Sequence, residues 1–284
     1  MMLPGRRASQ STGICPAGAK RRNRDKTSGL NLHDAIFLFF AGALGGGINA
    51  VAGGGSFVSF PALLFTGVPP VPANATNALA LWAGTTASGG AYAQKLNIPR
   101  RIMIPLVITS VIGGLAGAFL LIKTPAQTFL RVLPWLLLGA TLLFAFGKHL
   151  TGRISAGISH DATNAAVTGA SIFELLVAVY GGYFGGGIGI MNLAMLAAMG
   201  MTDIHAMNKL KVILGGIING VATVTFIATG AILWPQGMVM TFGALLGGYS
   251  SAHYAQKLPQ AWIRAFVILV GTGMTIYFFI RGYR

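Results

Sequence analysis

Few residues in this sequence could carry out acid–base or metal chemistry. The 284 residues contain five acidic side chains, five histidines and the single Cys15. The zinc-protease motif H-E-x-x-H, the nucleophile motif G-x-S-x-G and a phosphate-binding loop are all absent from the sequence. One cysteine can build neither a disulfide framework nor a thiolate metal site. We therefore predict no catalytic residue, no metal site and no cofactor, and hence no enzyme.

Two glycine triplets offer a way to bind an anion with few charged side chains. Each triplet precedes a short apolar run, Phe57–Phe65 in the first case and Ile188–Met199 in the second. A helix that begins inside a membrane presents unpaired N–H donors and the positive end of its dipole, and both attract anions. The alternative is that the glycines only allow helices to pack closely. The first predicted group of anion-binding residues is Gly53, Gly54, Gly55, Ser56, Gly185, Gly186 and Gly187.

Polar side chains at the start of two long helices could contact the same anion. Asn208, Lys209 and Lys211 follow the second short run, and a lysine at that depth could neutralise a sulfonate or a carboxylate. Thr76 and Asn77 occupy the matching place in the first half and are neutral donors for oxyanion oxygens. We predict Thr76, Asn77, Asn208 and Lys209 as substrate-binding residues. The alternative is that both lysines extend to the membrane interface and set the topology.

Glu174 lies in the apolar run Ser-Ile-Phe-Glu-Leu-Leu-Val-Ala-Val. An unpaired carboxylate in such a run is costly, so the side chain should face the protein interior and either pair with a cation or carry a proton. A role in proton coupling is one hypothesis, and a structural pair with a lysine or a place near the interface is the other. Asp203 and His205 could also titrate, although a histidine in a loop is more often simply solvated.

These residues must be positioned by helices that cross a membrane. Hydrophobic residues make up 54% of the chain and charged residues 9%, and the mean hydropathy is +0.69, far from the balance of a soluble domain. Backbone groups in lipid must be satisfied within each segment, and the alternation of a barrel strand is absent, so the predicted fold is all-α. Eight apolar runs have the roughly 20 residues that a crossing needs. They are Asp34–Ala52, Thr76–Gln94, Ile102–Ile122, Phe129–Gly147, Ala165–Phe184, Leu210–Leu233, Met238–Gln256 and Ile263–Ile280.

An internal repeat relates the two halves of the chain. A shift of 132 residues brings Gly53–Gly55 onto Gly185–Gly187. Each half then contains a long helix, a glycine triplet, a short apolar helix, a polar break (Pro69–Asn74 or Thr202–His205) and three long helices. Repeats with interrupted helices at matching positions are typical of transporters whose site lies between the halves. The predicted organisation is a tail (1–32), a first repeat (33–150), a connecting loop (151–164) and a second repeat (165–284).

The formal net charge of +15 is concentrated in the N-terminal tail and in loops. Seven of the twenty Lys and Arg residues precede Leu30, in a stretch without an apolar run, which predicts a disordered cytoplasmic tail and no nucleic-acid-binding surface. If the short helices are re-entrant, each half crosses four times, and the Arg100 loop and Arg281 lie on the side of the tail. The uncharged loop Trp234–Gly237 instead favours an inverted repeat with five crossings, which places the Arg100 loop on the opposite side.

The glycine-rich segments give the sequence a resemblance to the TauE/SafE sulfite exporter family. The resemblance runs from about Asp34 to Tyr283. It rests on Gly-Gly-Gly-Ile-Asn-Ala-Val-Ala-Gly-Gly-Gly-Ser at 45–56, Ala-Thr-Asn-Ala-Leu at 75–79 and Gly-Gly-Tyr-Phe-Gly-Gly-Gly-Ile-Gly at 181–189. It implies a permease of the inner membrane for small anions, including sulfite and organosulfonates such as sulfoacetate, and it does not fix the solute.

Two other functions are compatible with the sequence. An anion channel would share the glycine-rich spans, and a non-transporting membrane assembly protein would need none of the binding groups. The duplicated breaks favour a transporter, because an assembly protein leaves them unexplained. The expected partners are a small anionic solute and the lipid bilayer, and a homo-oligomer is also compatible with the sequence.

Overall fold

All regular structure that can be described in this protein is helical. The computed structural model describes residues 30–91, 99–153, 164–201, 204–254 and 260–283, and these contain no strand. The all-α prediction is confirmed for them, whereas most of the predicted tail and of the connecting loop lies outside the described residues. The helices are α1 (Leu32–Ala52), α2 (Ser56–Phe65), α3 (Pro70–Ala91), α4 (Arg100–Lys123), α5 (Ala126–Arg153), α6 (Asn164–Tyr183), α7 (Ile188–Ala198), α8 (Ile204–Ala228), α9 (Trp234–Tyr254) and α10 (Gln260–Tyr283).

Each of the eight predicted spans falls on a long helix, and six of these helices are both long and apolar enough to cross a membrane. The six are α1, α4, α5, α6, α8 and α10, counted over the described residues. The prediction of eight such spans is therefore confirmed only in part. Helix α3 falls short because its inward-facing positions are polar, and α9 carries four glycines as well as polar residues at both ends. The buried polar side chains of α3 are Asn74, Thr76, Asn77, Thr85 and Ser88.

The outward-facing surface of the long helices is apolar, as contact with lipid requires. Large hydrophobic side chains are more than half exposed on several helices, where a soluble protein would present polar residues. Aromatic side chains cluster where α5 begins and α10 ends: the Trp135 indole N–H donates to the Tyr283 hydroxyl at 2.9 Å. Tryptophan and tyrosine favour the lipid–water boundary. The chain is a multi-pass membrane protein.

The polar break of the first half is shorter than the sequence predicts. Helix α3 starts at Pro70, and only Thr66–Pro69 separate it from α2. Proline fits the first helical position because its missing N–H would be unpaired there in any case. The predicted start of the span at Thr76 is therefore wrong by almost two turns. In the second half α8 begins at Ile204, and residues 202–203 lie outside the described part.

Helices α1, α3 and α9 run in the same direction and pack closely. A Cβ on Gly46 of α1 would lie 2.7 Å from the Cα of Ala244 in α9, and further along both helices Gly47 meets Ser251. Helix α3 advances with α9 in the same way, since Thr76 faces Gly237 and Gly84 faces Ala244. Small residues at these positions let the three backbones approach each other.

Helices α4, α6 and α8 form a second parallel group. Ser110 of α4 contacts Glu174 of α6, and one turn later Gly113 meets Ala178. Between α4 and α8, Leu106 packs with Leu210 and, further along, Gly114 packs on Ile218. The contacts advance together along the chains, which is the pattern of parallel helices.

The two groups run in opposite directions. Trp82 of α3 lies against Gly220 of α8, whereas Gly89, further along α3, lies against Val212, earlier in α8. Because α3 is parallel to α1 and α8 is parallel to α4, the first residues of α1 and α4 lie at opposite ends of the bundle. This contradicts the four-crossing arrangement, in which the loop at Arg100 shares a side with the tail.

Candidate functional site

Each short helix folds back against the long helix before it. Ser59 of α2 lies opposite Gly45 of α1, and Gly55 lies opposite Asn49, so the two helices are antiparallel. In the second half, Ile188 at the start of α7 packs on Gly181 of α6. These tight reversals need backbone conformations that side chains disfavour: φ is +78° at Gly53 and +83° at Gly187.

The two glycine turns meet in the interior of the protein. A Cβ on Gly53 would lie only 2.8 Å from the Cα of Gly189, the second residue of α7. Gly54 is covered by the ring of Phe144, and a Cβ on Gly187 would be 3.3 Å from the Cβ of Ala140. The structure therefore brings together the two triplets that the sequence singles out.

Both short helices begin at these turns without a capping side chain. Their N-caps are Gly55 and Gly187, and neither helix has a side-chain hydrogen bond at its N-cap within the described part of the chain. The first N–H groups of a helix have no partner inside it, so an uncapped start offers donors to a bound anion. Short helices of this kind are tolerated at membrane depth because protein surrounds them. For α2, Phe57 packs edge-on against Phe144, and Phe60 against Phe184.

A buried cluster of neutral polar groups stands beside the first turn. The Ser59 hydroxyl donates to the amide oxygen of Asn77 at 2.5 Å, and the Asn77 amide nitrogen donates to the Ser56 hydroxyl at 3.2 Å. Ser56 and Asn77 were predicted for the site, but Ser59 was not. Its position one turn after Ser56 is the only signal that the sequence contains. Thr76 faces elsewhere, since its hydroxyl accepts from the N–H of Leu233 at 3.1 Å.

Lys211 is the lysine that approaches the glycine turns. Its side chain is 4% exposed, and its ammonium group donates to the carbonyl of Val51, at the end of α1, across 3.5 Å. A Cβ on Gly189 would lie 3.3 Å from Lys211 Cδ. Lys209 and Asn208 are half-buried, and Lys209 already has an interaction partner. Residues two apart point to different sides of a helix, so Lys209 and Lys211 cannot both face the turns.

The turns are braced by side chains that the sequence did not single out. The Tyr180 hydroxyl donates to the carbonyl of Gly186 at 2.8 Å, and the side-chain oxygen of Asn219 faces Gly185. Asn49, next to the first turn, donates to the Thr85 hydroxyl at 2.8 Å. Hydroxyl and amide groups thus hold both reversals in place.

Asn192 of α7 is a buried amide whose side chain has no hydrogen-bond partner. It is 0% exposed, and neither its oxygen nor its nitrogen is bonded to any described group. It lies three residues after Gly189, and therefore on the same side of α7. A buried amide without partners is costly, which marks a position where a ligand or a water would supply them.

Glu174 is buried between α4 and α6. The Ser110 hydroxyl donates to one carboxyl oxygen at 2.6 Å, and the other oxygen has no partner among the described groups. The lysine pair considered from the sequence is not found in the described part of the chain, where Asp34 and His33 form the one ion-pair contact. The side chain is 0% exposed and lies in the middle of α6, so a place near the interface is also excluded.

An elongated cleft opens between α3, α4 and α8. Its volume is about 730 Å³, and its lining is mostly apolar, with Trp82, Gly216 and Val212 among its walls. Thr85, the partner of Asn49, also lines it, and Val212 is the neighbour of Lys211. The cleft therefore leads towards both sides of the glycine turns. In the residues that the structure describes, no cluster of His, Cys, Asp and Glu could hold a metal ion.

Comparison with known proteins gives consistent matches over nearly the whole chain. The sequence profile described as Sulfite exporter TauE/SafE matches residues 38–278. A probable membrane transporter protein of Haemophilus influenzae is 30% identical over 243 residues, which cover 84% of this chain and 91% of that protein. The probable membrane transporter protein ORF9 of a Sinorhizobium species is 28% identical over 250 residues, covering 87% and 93%. The probable membrane transporter protein YfcA of Escherichia coli is 27% identical over 245 residues, covering 84% and 87%. No solved structure matches the chain significantly.

Proposed function

The chain belongs to the sulfite exporter TauE/SafE family, and from this membership we propose that it is a permease of the inner membrane for a small anion. The cargo would be sulfite, an organosulfonate or a related sulfur-containing or carboxylate anion. The names of the relatives, which call them probable membrane transporter proteins, support the transport function. They leave the solute open.

The observation that carries the proposal is the contact between two uncapped glycine turns. Gly53 touches Gly189, and the starts of α2 and α7 adjoin the contact without capping side chains. Two helix starts provide partial positive charges and N–H donors, which suit a negatively charged solute. The neighbouring hydroxyl and amide groups of Ser56 and Asn77 add neutral donors.

The arrangement of the helices supports an inverted repeat. Asn74 of α3 donates to the Tyr183 carbonyl that ends α6, and Lys211 of α8 donates to the Val51 carbonyl that ends α1. Val51 and Tyr183 are separated by 132 residues, the offset that relates the glycine triplets. Because α1 and α6 belong to groups of opposite direction, the halves 33–150 and 165–284 would be related by an axis in the membrane plane. The solute site would then lie on that axis.

Glu174 is the group that we assign to coupling. A carboxylate without a cation is costly in such a setting, so a proton on Glu174 would be part of the stable state. The basic tail favours a cytoplasmic N-terminus. Both assignments rest on these local features.

The proposed function is tested with the purified full-length protein reconstituted in liposomes. Counterflow of labelled sulfite is measured with sulfite, thiosulfate, sulfoacetate, taurine or a simple carboxylate trapped inside, and protein-free liposomes serve as the control. We expect saturable exchange for at least one anion. Flux that does not saturate would indicate the channel alternative. Absence of flux, together with no change in melting temperature for any of these anions, would remove the transport proposal and favour an assembly role.

A further inference from the structure

We propose that Lys211 gives the site a single fixed positive charge, and that the protein therefore selects monovalent oxyanions, such as sulfonates, over divalent ones such as sulfate. This inference rests on the proposed function and deepens it. It assigns the charge to a residue that sequence reasoning passed over in favour of Lys209.

Lys211 is the buried basic side chain of the described structure. Among the described residues, Glu174 and Lys211 are the two charged side chains that are buried, and no carboxylate lies within 4 Å of the Lys211 ammonium group. An ammonium group removed from water without a counter-ion is strongly destabilising. A bound anion at the adjoining turns would supply the missing negative charge.

Capping the end of α1 does not by itself account for a lysine at this position. The Lys211 ammonium group reaches the Val51 carbonyl at 3.5 Å, which is the outer limit of a hydrogen bond. In the other half the neutral amide of Asn74 makes the corresponding contact to Tyr183 at 2.9 Å. A neutral side chain therefore serves this purpose better. An ammonium group has three donors, and the contact with Val51 uses one of them.

A second unsatisfied group faces the same place. Asn192 is fully buried, has no hydrogen-bond partner among the described groups and shares a side of α7 with Gly189. Gly189 in turn touches both Gly53 and the Lys211 side chain. An oxyanion at this junction would accept hydrogen bonds from the Asn192 amide and the Lys211 ammonium group, which satisfies both.

The other half contributes no second charge. Gly114 packs on Ile218, and Gly248 packs on Gly84 in the corresponding way, so position 84 of α3 matches position 218 of α8. Seven residues earlier, Asn77 matches Lys211. The Asn77 amide is neutral and already bonded to Ser56 and Ser59. One cation and neutral donors balance one negative charge, whereas a divalent anion would leave a net charge buried at low dielectric.

The charge preference is tested first on the unchanged protein. Methanesulfonate and sulfate are both tetrahedral sulfur oxyanions of similar size that carry one and two charges at neutral pH. At equal ionic strength, we expect methanesulfonate to inhibit counterflow and to raise the melting temperature at concentrations at least about tenfold lower than sulfate. Equal or stronger effects of sulfate would overturn the proposal without any variant.

The role of Lys211 is tested with Lys211→Gln, Lys211→Asn and Lys211→Arg. Asparagine is the residue that the fold accepts at the matching position of α3, so it is a second neutral variant if Lys211→Gln is unstable. We expect a 10- to 100-fold rise in apparent KM for the neutral variants, since a hydrogen bond to a charged group has about that effect. Lys211→Arg should keep most of the affinity. Lys123→Gln makes the same change at the exposed end of α4 and should leave KM unaltered.

The outcomes separate this inference from the proposed function. Unchanged KM and unchanged charge preference in a folded neutral variant would remove Lys211 from the site, while transport by the unchanged protein would still stand. Should the unchanged protein transport no anion of either charge, the proposed function itself would be wrong.

Discussion

Single residues decide where charge and backbone freedom occur in this protein. The described part of the chain buries one carboxyl group and one ammonium group, Glu174 and Lys211, and surrounds them with hydroxyl, amide and glycine positions. The sequence pattern found the glycine turns, because their composition is unusual and duplicated. It did not choose correctly between Lys209 and Lys211 as the residue beside the turns. That choice depends on the rotation of α8 around its axis, which a run of apolar residues on every side of a buried helix does not reveal.

Glu174 should be required for proton coupling but not for binding. In Glu174→Gln the amide oxygen can still accept from Ser110, and the side chain can no longer release a proton. We expect exchange of the solute in counterflow to continue, and accumulation driven by a pH gradient to be lost. Both are measured in the same liposomes.

Asp34→Asn is the control for this experiment. Asp34 lies in the first turn of α1 with its side chain 35% exposed, so the same chemical change there should leave gradient-driven accumulation intact. Accumulation by Glu174→Gln at the normal level would contradict the coupling role.

Gly53 and Gly67 separate backbone strain from the contact between the turns. Both have φ near +80°, but a Cβ on Gly67 meets nothing within 4 Å, whereas a Cβ on Gly53 lies 2.8 Å from Gly189. Gly67→Ala should cost about 1–2 kcal/mol of stability from the left-handed conformation alone and keep transport. Gly53→Ala carries the same strain and also forces the turns apart, so we expect a larger fall in melting temperature and at least a tenfold loss of transport.

The measurement for this pair is thermal unfolding followed by tryptophan fluorescence, together with counterflow. Equal effects of the two substitutions on both would show that the contact between Gly53 and Gly189 has no functional weight.

At the scale of helices, the sequence predicted existence better than direction. Every predicted span and both short helices coincide with a helix, since length and apolar content are visible in the chain. The ends were less accurate, as Pro70 shows: a proline-rich segment was expected to be a break, and instead proline starts α3. Helix directions depend on which glycines of different helices face each other. Gly46 with Ala244 and Gly89 with Val212 are such pairs, and no local pattern encodes them.

The packing of α4 on α6 differs from that of α1 on α9 in one respect. Both interfaces consist of small residues, with Gly113 on Ala178 in one and Gly46 on Ala244 in the other. Only the first also contains a carboxyl group, held by Ser110. Position 174 corresponds to Gly42 at the offset of 132 residues. The two halves therefore share a packing scheme while one of them carries an additional titratable group.

For the whole molecule, the helix directions predict where the ends of the chain lie. The start of α1 and the start of α4 are at opposite ends of the bundle. Helix α10 ends beside the start of α5, as the bond between Trp135 and Tyr283 shows. We expect a reporter fused between α3 and α4 and a reporter fused after Tyr283 to be on opposite sides of the membrane.

Alkaline phosphatase and green fluorescent protein fusions at these two sites measure the location from both sides. Full-length chains with an inserted reporter are the control for truncation effects. Reporters found on the same side would contradict the directions derived from Trp82 with Gly220 and from Gly89 with Val212.

The opposite orientation of the halves has an energetic consequence for the empty carrier. If the halves were identical, exchanging their conformations would reproduce the same contacts upside down, and the inward- and outward-open states would be isoenergetic. Lys211 and Glu174 belong to one half of the sequence and have no charged counterpart at positions 77 and 42. This lifts the degeneracy, so the unloaded protein should rest preferentially open to one compartment. The resting bias would then be encoded in two side chains.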